Sequence, residues 1–184
     1  MAVSLLDSRS RIAQELTDNP DVRRKLIASI QAEVGDQSSA AQLAYAESVM
    51  NRAAARGITL DATISDPGYY PKSTLSKLGN QYSGGEAEGL HALVDQALAG
   101  SNISNFATGN ESGKVRSGGA PVAFNPGTGE RFVVENADRD WAIGSGANLP
   151  VAGSGVTSVP STDVTTPVSE SLADIIKKRK GLMN

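Results

Sequence analysis

The chain contains no cysteine and only one histidine, His91, among its 184 residues. The lack of cysteine excludes disulfide frameworks and thiolate metal sites, and it is typical of a protein made in a reducing cytoplasm. A single histidine also argues against a histidine-based metal site, so we expect neither a metal nor another cofactor. Because no serine or cysteine nucleophile motif accompanies His91, we interpret it as a packing or surface residue.

Basic and aromatic residues are both scarce. The 17 Lys and Arg residues against 20 Asp and Glu residues give a net charge of -3. Nucleic-acid-binding proteins usually carry a basic excess, so we expect no nucleic-acid partner. Aromatic residues make up 4% of the chain and hydrophobic residues 39%. With alanine prominent among the apolar residues, this composition favours closely packed helices over a sheet sandwich.

Long hydrophobic runs are also missing. The N-terminus reaches Asp7 and Arg9 before any apolar stretch develops, and no later run has the length of a membrane-spanning helix. We therefore expect neither a secretory signal peptide nor a membrane span. A chain of 184 residues has room for one domain with appendages.

Local sequence signals divide the chain into four segments. Residues 1–18 combine loosely spaced apolar positions with several charges, which predicts a peripheral N-terminal helix. Residues 19–144 form the predicted domain, which is mainly helical with one β-hairpin in VAFNPGTGERFVVE. The Gly- and Ser-rich residues 145–165 predict a flexible linker, and residues 166–184 predict an amphipathic C-terminal docking helix. The expected fold class is α+β, mainly α.

One predicted helix carries an acidic residue in its apolar stripe. Asn19 and Pro20 are typical of a helix start and Gly35 of a helix end, and Glu33 lies near that end on the same side as Ile30. Burial and the carbonyl dipoles of a helix C-terminus both raise the pKa of a carboxylic acid. Cleavage of a glycosidic bond needs an acid that keeps its proton near neutral pH. The alternative is an ordinary solvated glutamate at a helix end.

A second acidic residue lies in the next predicted helix. Ser39 and Gln42 predict a capping box at its start, and Glu47 falls on its apolar face. A buried acid needs a partner that compensates for the loss of water. We consider three roles for Glu47: it assists Glu33 in catalysis, it positions a water for hydrolysis, or it forms a structural ion pair with Arg52 or another base.

Three pieces of sequence after Ile30 have a family resemblance. They are the turn AEVGD at residues 32–36, the helical stretch 42–50 and the Asn51-Arg52 pair that follows it. Together they resemble the SleB-like cell wall hydrolases, the group that contains spore-cortex-lytic enzymes. The later ATISDPGYYPKST also resembles the segment that lines the glycan cleft in that family. Asp36 replaces the second acidic residue that the family has after the Gly.

The resemblance implies a lysozyme-like fold in which Glu33 occupies the position of the catalytic glutamate. It also implies cleavage of the bond between N-acetylmuramic acid and N-acetylglucosamine, by a lytic transglycosylase or a muramidase. We expect tyrosines to stack on sugar rings and polar loop residues to bind N-acetyl groups, although core packing and turn chemistry explain them equally well. These substrate-binding candidates are Tyr69, Tyr70, Tyr82, Asn105, Thr108 and Asn110.

The combined prediction is a peptidoglycan-cleaving enzyme carried in a bacteriophage particle. A wall-cleaving domain with no signal peptide predicts synthesis in the host cytoplasm and delivery in the virion to the periplasm and cell wall during genome entry. The expected partners are glycan strands, other virion proteins bound through the C-terminal helix, and further copies of the chain within the particle. One alternative is an endolysin released through a holin. An alternative of another class is a structural tail or portal-associated protein with an inactive hydrolase fold.

Overall fold

The structure, a computed structural model, describes residues 4–66, 87–112 and 120–149. The chain divides into two compact units, Met1–Ala152 and Gly153–Asn184, and all of the second unit lies outside the described residues. The described part of the first unit is mainly helical with a small antiparallel sheet, which confirms the predicted class α+β, mainly α. The predicted docking helix and most of the predicted linker lie outside the described residues.

The helical part of the domain is built from α-helices, the first four of which are joined by short connections. The helices are α1 (Leu5–Asp18), α2 (Pro20–Val34), α3 (Ser39–Arg56), α4 (Leu60–Ile64) and, after a gap in the described residues, α5 (Glu88–Leu98). The central helix is α3, which contacts α1, α2, α4, α5 and the sheet. Its residues Leu43, Tyr45, Val49 and Met50 are buried in the core. No helix in the described part of the chain is both long enough and apolar enough to cross a membrane.

Capping residues set the ends of α2 and α3. The Asn19 side chain accepts a backbone N–H of the first turn of α2, and Pro20 begins that helix, as predicted. Ser38, rather than the predicted Ser39, caps α3, because its hydroxyl accepts a first-turn amide at 3.3 Å. Gly57 ends α3 with a φ of 64°, a left-handed conformation that favours glycine.

Helix α1 belongs to the core, so the prediction of a peripheral helix over residues 1–18 is wrong. Ile12 and Leu16 are buried in the main hydrophobic cluster, and Arg9 is only 1% exposed. Charge made α1 look peripheral in the sequence. The Arg9 guanidinium is instead buried against α3. Its Nη2 donates a hydrogen bond to Asn51 Oδ1 on that helix at 2.7 Å. The domain therefore begins with α1.

The sheet packs against the helices through its central strand. Its strands are β1 (Gly109–Ser112), β2 (Val122–Phe124) and β3 (Glu130–Val133), in the order β1-β3-β2 with both pairs antiparallel. Strands β2 and β3 form the predicted hairpin, and β1 is a strand that the sequence analysis missed. Phe132 on β3 is fully buried in the main core cluster. In the β1–β3 register it lies opposite Asn110, which places Asn110 on the face that meets the helices.

The described chain ends with a 3-10 helix (Asn136–Asp138) and α6 (Arg139–Gly144). Beyond α6 the chain folds back on the domain. Ala147 and Leu149 pack in a small cluster with Trp141, and the Asn148 amide donates to Asn105 Oδ1 at 3.0 Å. The predicted linker boundary at residue 145 is therefore too early, because these contacts hold the chain to the domain up to residue 149.

Candidate active site

Glu33 lies in the last turn of α2, half-buried between the helices and the sheet. The preceding turns of α2 are anchored by Leu26 and Ile30, both fully buried. From β1, Asn110 Nδ2 donates to Glu33 Oε2 at 3.3 Å. The predicted helix therefore delivers Glu33 to the edge of the core, where one side of its carboxyl group meets the sheet.

The turn after Glu33 is shaped by Gly35. A Cβ atom at Gly35 would lie 2.3 Å from the carbonyl oxygen of Gln31, so no larger residue fits without moving the turn. Gln42 Nε2 also donates to the Gly35 carbonyl at 3.1 Å, which ties the turn to α3. On the other side, Thr128 in the β2–β3 turn donates to Gln37 Oε1 at 2.5 Å. The short connection between α2 and α3 is thus held by both α3 and the hairpin.

The Asn110 amide bridges two carboxylates. Its Nδ2 donates to Glu33 at 3.3 Å and to Glu130 Oε1 at 2.8 Å. Since both oxygens lie within hydrogen-bond distance of one nitrogen, they are no more than about 6 Å apart. Glu130 is the first residue of β3 and only 4% exposed. The site therefore contains a close pair of carboxyl groups.

Sequence reasoning missed Glu130. A usable signal was present, because Glu130 directly follows the Pro-Gly-Thr-Gly turn and alternates with Phe132, so the two residues share a face of the strand. An acidic residue on the inward face of a strand is unusual unless it has a polar partner. The partner is supplied by Asn110 on β1, and β1 itself was not predicted.

The environment of Glu33 raises the pKa of its carboxyl group above the ordinary value. Burial is the main cause, because it disfavours the charged form. The hydrogen bond from Asn110 lowers the pKa, and the nearby charge of Glu130 raises it. A half-buried carboxylic acid with a raised pKa can donate a proton to a bound group and later accept one as a carboxylate.

Glu47 lies elsewhere, under the loop that precedes β1. Its side chain is fully buried in α3, and its two oxygens accept the backbone N–H groups of Ile103 at 3.2 Å and Ser104 at 2.8 Å. The Arg9 guanidinium on α1 interacts with it electrostatically. This carboxylate is therefore engaged in holding a loop, whereas Glu33 faces the strands.

Of the bases considered as a partner of Glu47, Arg52 is engaged elsewhere. Arg52 binds Glu135, which follows the sheet, and Arg56 binds the same carboxylate at 2.8 Å. Asp138 joins this network through Arg56 at 3.1 Å. These ion pairs attach the end of α3 to the segment after β3, and the base that compensates Glu47 is Arg9 from α1.

Among the three polar candidates for substrate binding, the structure brings Asn110 to Glu33 and uses the other two to hold backbone. Asn105 donates to the Asn148 carbonyl at 2.8 Å. Thr108 is fully buried, and its hydroxyl accepts the Glu135 amide at 3.0 Å. The three candidate tyrosines lie outside the described residues: Tyr69, Tyr70 and Tyr82.

His91 connects α5 to α2. Its Nδ1 accepts a hydrogen bond from Arg23 Nε at 3.0 Å, and partial burial lowers the pKa of the imidazole. A cavity of about 290 Å³ lies nearby, lined by residues that include Gln31, Gln42 and Leu90, and Glu33 is not among them. Within the described ranges, no group of three or more histidine or acidic side chains is arranged to hold a metal ion.

No protein-family model, curated protein or solved structure matches this chain.

Proposed function

We propose that the first unit of the chain is a lysozyme-like domain that cleaves the glycan strands of peptidoglycan, with Glu33 as the general acid. The observation that carries this proposal is the half-buried Glu33 carboxyl group, whose pKa is raised and which faces Asn110 and Glu130. Burial is the device by which glycosidases keep a carboxylic acid protonated near neutral pH. A helical domain with a small antiparallel sheet, and the acid where the two meet, is compatible with a lysozyme-like fold.

In the proposed reaction, Glu33 protonates the oxygen that links the two sugars while the bond from that oxygen to the anomeric carbon breaks. Asn110 orients the Glu33 carboxyl group through its hydrogen bond. The negative charge of Glu130 raises the pKa of Glu33 and favours the positive charge that develops on the sugar ring. The Glu33 carboxylate then takes a proton from the attacking hydroxyl. In a transglycosylase the attacking group is the 6-hydroxyl of the muramyl residue, and in a muramidase it is a water molecule.

The direct test is the release of muropeptides from purified sacculi, analysed by mass spectrometry. We expect the wild-type chain to release fragments and Glu33→Gln to be slower by about 10²–10⁴-fold, the usual contribution of a general acid. The matched control is Glu111→Gln, which makes the same change one residue after Asn110 on β1, where alternation points the side chain to the opposite face. This control should retain activity.

The fragments also identify the reaction. Anhydro-muropeptides indicate a lytic transglycosylase, and reducing ends indicate a muramidase. If folded wild-type protein releases nothing from sacculi of several peptidoglycan types, the glycosidase proposal is wrong and the alternative of a structural virion protein is favoured.

We also propose that the protein is carried in a phage particle and docks there through residues 166–184. The support is the sequence pattern, an amphipathic segment behind a Gly- and Ser-rich stretch, because so short a helix needs a partner to bury its apolar side. A chain truncated after Val151 should still cleave sacculi but be missing from purified particles, as measured by mass spectrometry. Normal incorporation of the truncated chain would contradict the docking role.

A further inference from the structure

We propose that Glu47 is a positioning residue, which fixes strand β1 and thereby holds Asn110 against Glu33. This inference rests on the proposed function of the Glu33 site. Glu47 acts through the backbone of the loop that precedes β1, and this role gives a reason for a fully buried acidic residue in the central helix.

Side chains of α3 hold both ends of the loop that leads into β1. The Glu47 carboxylate accepts the N–H groups of Ile103 at 3.2 Å and Ser104 at 2.8 Å. One turn later, Asn51 Nδ2 donates to Ser104 Oγ at 3.4 Å and to the Ala107 carbonyl at 3.0 Å. Two adjacent positions on one face of α3 therefore bind the loop at its start and at its end.

The middle of this loop has a conformation that needs such support. Asn105 and Phe106 have φ values of 50° and 63°, in the left-handed region that non-glycine residues rarely adopt. The Phe106 amide also donates to Asn102 Oδ1 at 3.0 Å. Backbone of this kind persists only where surrounding contacts fix it. The loop shape thus depends on the buried polar groups beneath it.

The loop passes directly into the strand that carries Asn110. Thr108 follows the loop, and its backbone N–H donates to the Val133 carbonyl on β3 at 2.9 Å. Strand β1 starts at Gly109, so Asn110 is only two residues beyond Thr108. A shift of one residue in strand register would turn Asn110 to the opposite face of the sheet. Holding the loop therefore sets the face on which Asn110 lies.

Arg9 completes the anchor from the other side. It is 1% exposed, and its Nη2 donates to Asn51 Oδ1 at 2.7 Å. This bond occupies the amide oxygen of Asn51 and leaves the amide nitrogen facing the loop. The charge of Glu47 in turn favours the charged form of the buried Arg9 guanidinium. An acid at position 47 thus both accepts two loop amides and compensates the base that orients Asn51.

The test is an NMR titration of the Glu33 side-chain carboxyl group in Glu47→Gln and in Arg9→Met/Glu47→Gln, which removes both buried charges. The destabilised control is Ile64→Ala, a core change in α4. If Glu47 positions β1, its loss releases Asn110 from Glu33 and removes the hydrogen bond that lowers the Glu33 pKa. The Glu33 pKa should therefore rise in both Glu47 variants, as it should in Asn110→Ala, but not in the control. Cleavage of sacculi at neutral pH should fall in parallel.

An unchanged Glu33 titration in a folded Glu47 variant would overturn the positioning role. Since the titration does not depend on cleavage, it also separates this inference from the proposed activity. If neither variant folds, hydrogen exchange of the wild-type chain decides. The amide protons of Ile103, Ser104 and β1 should then exchange in one common opening event. Exchange of the β1 amides while the loop amides stay protected would refute the inference.

Discussion

The buried charges of Arg9 and Glu47 provide a sharp prediction for stability. Glu47→Gln keeps the shape of the side chain but removes the negative charge that faces Arg9. Even with Glu47 present, burial lowers the pKa of Arg9 from 12.5 to about 10, so the loss of water outweighs the attraction. At 1.36 kcal/mol per pKa unit, the charged guanidinium carries a net penalty of about 3 kcal/mol in the fold. Removing Glu47 increases that penalty.

The expected size of the effect follows from the cost of leaving a buried charge without its partner. Breaking such a pair on one side usually destabilises a protein by about 3–5 kcal/mol. We expect no more than the lower end, about 3 kcal/mol, because Arg9 and Glu47 interact through their charges without direct ion-pair contact, glutamine can still accept one loop amide, and Arg9 keeps its hydrogen bond to Asn51. For a domain of this size, the melting temperature should fall by about 10 °C. This is a large share of a total stability of about 5–15 kcal/mol.

The assay is urea denaturation of wild type, Glu47→Gln, Arg9→Met and the double variant, followed by circular dichroism. The double variant has neither buried charge, so it should be more stable than Glu47→Gln alone. We expect a coupling energy of at least about 1 kcal/mol between the two positions, above the scatter of independent sites. Additive effects, with coupling below about 0.5 kcal/mol, would show that Arg9 and Glu47 do not compensate each other.

Two further predictions concern the Glu33 carboxyl group. Glu130→Gln should lower the Glu33 pKa and move the alkaline limb of the pH profile of cleavage to lower pH. Asn110→Ala should raise the Glu33 pKa and move that limb to higher pH. Shifts in the same direction would contradict the assigned roles. Glu33→Gln should be more stable than wild type at alkaline pH. Because the folded pKa is raised, protonated Glu33 stabilises the fold fully below its unfolded pKa, near the ordinary value of 4.5. This contribution is lost as the pH rises through the folded pKa. Urea denaturation at acidic and alkaline pH checks this, and a stability difference that does not change with pH would refute it.

Local signals in the sequence were sufficient for the elements that carry much of the site. Asn19 and Pro20 start α2 as expected, and Glu33 lies at its C-terminal end with a raised pKa caused mainly by burial. The hairpin that contains Glu130 was also predicted from its turn and its alternating residues. Caps, turns and apolar periodicity involve residues a few positions apart, so one sequence is enough to recognise them.

The partners of the buried polar groups were decided only by the tertiary structure. Glu33 meets Asn110 across 77 positions of the chain, and Glu47 meets Ile103 across 56. Charge patterning placed α1 outside the domain, yet Arg9 is buried because α3 supplies an amide and a carboxylate at the point where it packs. Whether a charged residue stays in solvent or enters the core depends on the groups that face it after folding, and sequence spacing does not contain that information. The sequence alone therefore determined the helix that presents Glu33, and the packing of distant elements determined which groups surround it.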